Sequence, residues 1–169
     1  MSWKTTATIT NTNMKIKTPI TLMLLCALCA CGSTSKEQDK VPPEIVPIGD
    51  YASPRNCQEF ARGGTLPFAY AFGDNVELGS FNLEIHNNFD HHTHSTEAGE
   101  CRPDPAKEPV HPWIYNQDYP IPASLNYYEA AIDIPVPADI DPGEYHFMIR
   151  VTDASGWQQL RSVSIRITE

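Results

Sequence analysis

Wherever the apolar residues of this chain fall into a pattern they alternate with polar ones, and no long segment repeats them at helical spacing. The run Tyr145-His-Phe147-Met-Ile149-Arg-Val151 is the clearest case, with His146 on its polar side. Phe81-Asn-Leu83-Glu-Ile85-His86 sends its apolar residues one way and Asn82, Glu84 and His86 the other. Phe68-Ala-Tyr70-Ala-Phe72 and Ala130-Ala-Ile132-Asp-Ile134 read as further strands, and a final strand turns Val163, Ile165 and Ile167 inward. Val41-Pro-Pro-Glu-Ile-Val-Pro-Ile48 is broken by prolines and suits a sheet edge. Turn signals at Gly73-Asp-Asn75, Asp141-Pro-Gly143 and Asp153-Ala-Ser-Gly156 separate these runs at short intervals. A chain patterned in this way must bury one face of each strand against another sheet. It predicts an all-β fold, an immunoglobulin-like antiparallel β-sandwich.

The middle of the chain departs from the pattern. From Asn87 to about Leu125 there is no alternation, and prolines stand at 103, 105, 109, 112, 120 and 122. A long loop inside a compact domain is usually functional. This one starts with His86-Asn-Asn-Phe-Asp90-His91-His92-Thr-His94, which holds four of the six histidines of the chain. Neutral imidazole is the commonest protein ligand for zinc, copper and nickel, so the cluster marks a candidate transition-metal site.

The other end of the chain belongs to export. Lys15 and Lys17 precede an apolar run from Thr18 to Leu28 that is too short to span a bilayer. Leu28-Cys29-Ala30-Cys31 resembles a bacterial lipobox, which implies cleavage before Cys31 and lipid on it. Residues 1–30 therefore read as a signal peptide, with 1–13 either a misassigned start or an untypical extension ahead of Met14. Residues 31–41 read as the lipidated cysteine and a flexible tether without apolar side chains before Val41, and residues 42–169 as the folded domain. Gly32 and Ser33 lack the aspartate that signals inner-membrane retention, so a lipid-anchored place in the outer membrane is expected.

Charge narrows the partners. The chain has 12 basic and 21 acidic residues; Lys4, Lys15 and Lys17 leave with the signal, so the mature balance is 9 minus 21, or −12. Such a surface repels phosphate backbones, which excludes nucleic acid as an expected partner and leaves the membrane to the lipid anchor. Two cysteines, Cys57 and Cys101, remain in the folded part. An oxidising compartment allows them to pair, while free thiols or metal thiolates are the alternatives.

The strings Glu84-Ile-His86-Asn-Asn-Phe-Asp90-His-His92-Thr-His94 and Pro142-Gly-Glu-Tyr-His146-Phe-Met-Ile-Arg-Val-Thr-Asp153 are similar to a Bacteroidota putative-lipoprotein family, domain of unknown function 4625. The resemblance covers about Pro43 to Glu169, and it implies a lipid-anchored Ig-like domain with no assigned activity.

Spacing refines the histidine site. His92 and His94 lie two residues apart and could chelate one ion, but an extended chain would hold His86 about 26 Å from His94. The chain must reverse between them, at Asn87-Asn88 or Asp90, for His86 to join. If the strands ending at His86 and starting near His146 are the antiparallel neighbours C and F of an Ig-type sheet, those two histidines meet as well. The expected metal residues are thus His86, His92, His94 and His146, with Asp90 or Glu84 as a ligand or as the acceptor that orients a ring. Zinc or copper suits such a set. Trp113, Trp157, Tyr127 and Tyr128 could instead form an aromatic platform in a metal-free accessory or adhesion module binding protein or glycan. Asp74 and Asp153 read as turn caps and Tyr145 as a sandwich-corner tyrosine. No nucleophile elbow, phosphate loop or zinc-protease helix is present, so no enzyme is expected.

Overall fold

The computed structural model describes residues 39–94, 96 and 101–169. The expected signal peptide, the expected lipidation site Cys31 and most of the expected tether lie outside the described residues. Among those described, eight strands and one 3-10 turn (Gly49–Tyr51) make up the regular structure. The strands are β1 (Glu44–Pro47), β2 (Gln58–Ala61), β3 (Thr65–Gly73), β4 (Leu78–Asn87), β5 (Tyr115–Pro120), β6 (Tyr127–Pro135), β7 (Gly143–Asp153) and β8 (Gln158–Thr168). They form two sheets of order β1-β3-β6 and β2-β8-β7-β4-β5. The fold is an all-β sandwich, with the strand order of an immunoglobulin-type domain in which β4 and β7 are the C and F neighbours.

Alternation explains the layers. In β7, Tyr145, Phe147, Ile149 and Val151 are fully buried, while Met148, Arg150 and Thr152 on the other face are partly open. They meet Phe68 and Phe72 of β3, Phe81, Leu83 and Ile85 of β4, and Val163, Ile165 and Ile167 of β8 in one core. Each such side chain contributes roughly 1.5–3 kcal/mol of burial, which fixes the register because a one-residue slip would turn the whole apolar set outward. Phe68 stacks on Phe147 across the two sheets at 5.9 Å between ring centres. The proline-broken β1 does lie at an edge.

The chain departs from the sequence reading in the proline-rich segment, which contains β5. This strand pairs antiparallel with β4, Ile85 facing Tyr115 and Phe81 facing Tyr119. Tyr115-Asn-Gln-Asp-Tyr-Pro120 buries no residue fully, so it has no apolar face to alternate with a polar one. The four-residue β2, parallel to β8, was equally invisible for want of length. Trp113 lies in the core at 5 % exposure and Tyr128 packs against it, so the four aromatics do not make one exposed platform. Tyr145 takes the corner role: its hydroxyl donates to the Asp141 carbonyl at 2.7 Å and accepts from the Trp113 amide.

Candidate metal centre

The site is built where β4 ends and β7 begins. The register pairs Ile85 with Phe147, His86 with His146 and Asn87 with Tyr145, so the two histidines are direct cross-strand partners. Their ring centres stand 5.5 Å apart. After Asn87 the chain turns back sharply: the His91 amide donates to the Asn88 carbonyl, and His91 takes a left-handed φ of 59°. This is the reversal that the spacing of His86 and His94 demands. His91 serves as the turn residue and is exposed, with no ring contact to the other histidines.

Phe89 makes the turn stable. It is 3 % exposed and meets Tyr145 edge-on at 5.3 Å, an apolar anchor in a polar run that alone could have betrayed its role in the sequence. Backbone bonds from Asn88 to Glu144 and from Lys107 to Phe89 hold the turn against the start of β7. Farther along, Thr96 bonds Ser162 of β8 through both its backbone and its hydroxyl. Cys101 is joined to Cys57 by a disulfide, and Arg166 of β8 reaches Asp104, Glu144 and the Arg102 carbonyl. The loop is thus laid back across the outer face of the β7–β8 pair, and it carries His92 and His94 over His86 and His146.

The four rings touch in every combination. The centres of His92 and His94 are 5.0 Å apart, those of His92 and His146 are 5.2 Å apart, and the pairs His86–His92, His86–His94 and His94–His146 each stand at 5.5 Å. With the 5.5 Å of His86–His146 these are six nearly equal edges of a tetrahedron. A regular tetrahedron with edges of about 5.4 Å has its centre about 3.3 Å from each vertex, and an imidazole nitrogen lies about 1.1 Å from its ring centre, so inward nitrogens would stand about 2.2 Å from that centre, close to a Zn–N bond of 2.0–2.1 Å. For His86, His92 and His94, one nitrogen of each already lies within 4.8 Å of one of each of the others; His146 is not in that group, so its ring centre joins the tetrahedron while its nitrogens stand outside the converging three.

Hydrogen bonds select which nitrogens are available. His86 Nδ1 donates to Glu84 Oε1 at 3.0 Å, and His92 Nδ1 donates to the Asp90 carboxylate. Each bond places the proton on Nδ1 and leaves the Nε2 lone pair free, the arrangement in which a carboxylate orients a ligating imidazole. Asp90, expected as ligand or orienting group, takes the orienting position, and Glu84 matches it on the strand. His146 is tied the other way round. Its Nε2 donates to the His92 carbonyl at 3.0 Å, while its Nδ1 is buried and has no hydrogen-bond partner. A buried nitrogen lone pair without a donor is rare enough to require an explanation.

Burial favours the neutral ring at His86 and His146. Burial pushes His146 down to about 4 and also lowers His86, where the Glu84 carboxylate pulls in the opposite direction. The His92 hydrogen bond in turn holds the Asp90 carboxyl below the usual range. Neutral imidazole is the form that coordinates a metal, so burial favours that form at His86 and His146.

Residues 29–168 match the family described as Domain of unknown function (DUF4625). The chain belongs to the DUF4625 family. No curated protein gives a significant match. The chemistry of this DUF4625 domain must therefore be argued from its own side chains, and the histidine tetrahedron is where they converge.

Proposed function

We propose that this DUF4625 domain is an exported, lipid-anchored module that holds a transition metal, zinc or copper, on His86, His92, His94 and His146. The observation that carries the reading is the convergence of one nitrogen each from His86, His92 and His94 within 4.8 Å, two of these rings oriented by carboxylates, with the His146 ring packed on all three and its buried Nδ1 unpartnered. A lone pair left without a donor inside a protein costs free energy, and a metal ion would satisfy it. Four imidazoles would fill a tetrahedral shell and leave no open position for water or substrate, so the reading is one of sequestration, delivery or metal-dependent adhesion rather than catalysis. Anchoring in the outer membrane through Cys31 rests on the lipobox-like Leu28-Cys29-Ala30-Cys31 and on the residues that follow it.

The purified full chain, stripped with a chelator and titrated with zinc and with copper by calorimetry, tests the site. Tight one-to-one binding is expected. His92→Ala/His94→Ala should abolish it, and Glu84→Gln should weaken it about 10- to 100-fold by releasing the His86 ring. Affinity in the double variant equal to that of the unaltered chain would overturn the reading.

A further inference from the structure

Opposite the histidines, where β3 and β7 end, three aspartates from distant parts of the sequence come together. Asp39 precedes β1, Asp74 follows β3, and Asp153 closes β7; one carboxylate oxygen of each lies within 4.8 Å of one of each of the others. The sequence reading assigns Asp74 and Asp153 to turn capping, and half of each carboxylate does cap. Asp74 Oδ2 accepts from the amides of Val76 and Glu77, and Asp153 Oδ1 accepts from those of Ser155 and Trp157. Asp39 Oδ1 likewise accepts from the Val41 amide and the Asn75 side chain.

The other half of each carboxylate is unaccounted for. Asp39 Oδ2, Asp74 Oδ1 and Asp153 Oδ2 are all buried, and none has a hydrogen-bond partner. Asp153 as a whole is only 4 % exposed. Capping needs one oxygen per residue and would leave the second facing water. Here the second oxygens are withdrawn from water at one place, and none of the ion pairs among the described residues supplies a positive charge to them. For Asp39 the Val41 amide is the largest influence holding its carboxyl below the usual range. Three carboxylates gathered at one place, each with a buried oxygen that has no donor, call for a cation.

We propose that Asp39, Asp74 and Asp153 form a calcium site that fastens the start of the domain to this end of the sandwich. All-oxygen donors select a hard cation over zinc or copper. Three oxygens on one calcium ion, bound at 2.3–2.6 Å and evenly spaced, can be as much as about 4.5 Å apart, so oxygens within 4.8 Å of one another need close by no more than a few tenths of an ångström to hold one ion. Each carboxylate is already held by two donors on its far oxygen, so little ordering remains to be done on binding. The clamp has direct neighbours: the Trp157 indole donates to the Asp39 carbonyl at 3.1 Å, and the Ala154 amide donates to the Glu77 carbonyl at 2.9 Å, joining the β7–β8 turn to the β3–β4 turn.

The contact with Trp157 provides a readout. Terbium, a luminescent stand-in for calcium, should emit by energy transfer from Trp157 when added to the chelator-stripped full chain, and calcium should displace it with a dissociation constant of about 10⁻⁶–10⁻³ M. Calcium should also raise the midpoint of thermal unfolding. Asp39→Asn, which lies outside every strand and leaves both turns capped, should weaken calcium at least tenfold with the far-ultraviolet spectrum unchanged, and Asp74→Asn should do the same. His92→Ala/His94→Ala should bind calcium as the unaltered chain does. The proposal is overturned by absence of terbium emission and of any calcium effect up to about 10 mM, by unchanged affinity in both aspartate variants, or by magnesium competing as well as calcium.

Discussion

His146 lies on the polar face of β7, yet only 2 % of it is exposed. Strand alternation separates one face from the other and says nothing about what covers the outer one; here the His92 carbonyl closes over the ring. The cover has a measurable consequence in the metal-free protein. In the unfolded chain His146 takes up a proton near pH 6.5, whereas in the fold it stays neutral down to about 4. Between those values the unfolded state binds the extra proton, so stability is lost as pH falls from 6.5 and the loss is complete near 4. The amount is on the order of 3 kcal/mol. Denaturant unfolding of chelator-treated protein at pH 7 and pH 4.5 should show this decline, and His146→Gln should flatten it; an equal slope in the variant would remove His146 as its source. The same residue shows the extent of sequence reading. Its face and its partner His86 were legible from the period-2 pattern and the C and F strand placement, because both depend on backbone geometry alone. Its unpartnered Nδ1 was not, because that depends on where a loop 54 residues away in the sequence comes to rest.

The loop from β4 to β5 behaves as an element although it has no regular structure. It is pinned by Phe89 at one end, by Thr96 on Ser162, by Cys101 on Cys57, and by Asp141, whose carboxylate accepts from the amides of Val110 and His111. The disulfide closes a separation of 44 residues, which in the loop-entropy model stabilises by about 4 kcal/mol. Cys57→Ser/Cys101→Ser should lower the unfolding free energy by about that amount in urea, and it should weaken zinc more than a distant variant of equal stability does, because His92 and His94 lie between the Phe89 anchor and the staple. Unaltered zinc affinity in the disulfide variant would mean that the Phe89 turn positions those histidines unaided. That two cysteines remain to pair was readable from a count and a compartment. That the same loop holds β5 was not, since an edge strand with no buried residue has no apolar period.

At the scale of the whole molecule, β7 connects both candidate sites. His146 lies near its start and Asp153 ends it, seven residues and about 23 Å apart along the strand. Sites that far apart, with no shared ligand, act independently. Zinc and calcium should therefore raise the unfolding midpoint additively, each ion leaving the affinity for the other unchanged within about twofold in paired titrations. A larger coupling would show that the strand transmits strain between its ends. By itself the sequence determined the layers: alternating strands, short turns and an acidic chain admit a sandwich with its apolar faces turned inward, because burial responds to local period. It also placed His86 and His146 on one face of one sheet. Only the tertiary structure decided that His92 and His94 complete a tetrahedron above them, and that Asp39 joins Asp74 and Asp153 at the opposite end. Both gatherings depend on loops and chain ends whose paths are fixed by a single buried phenylalanine, a disulfide and capping amides, none of which has a period to read.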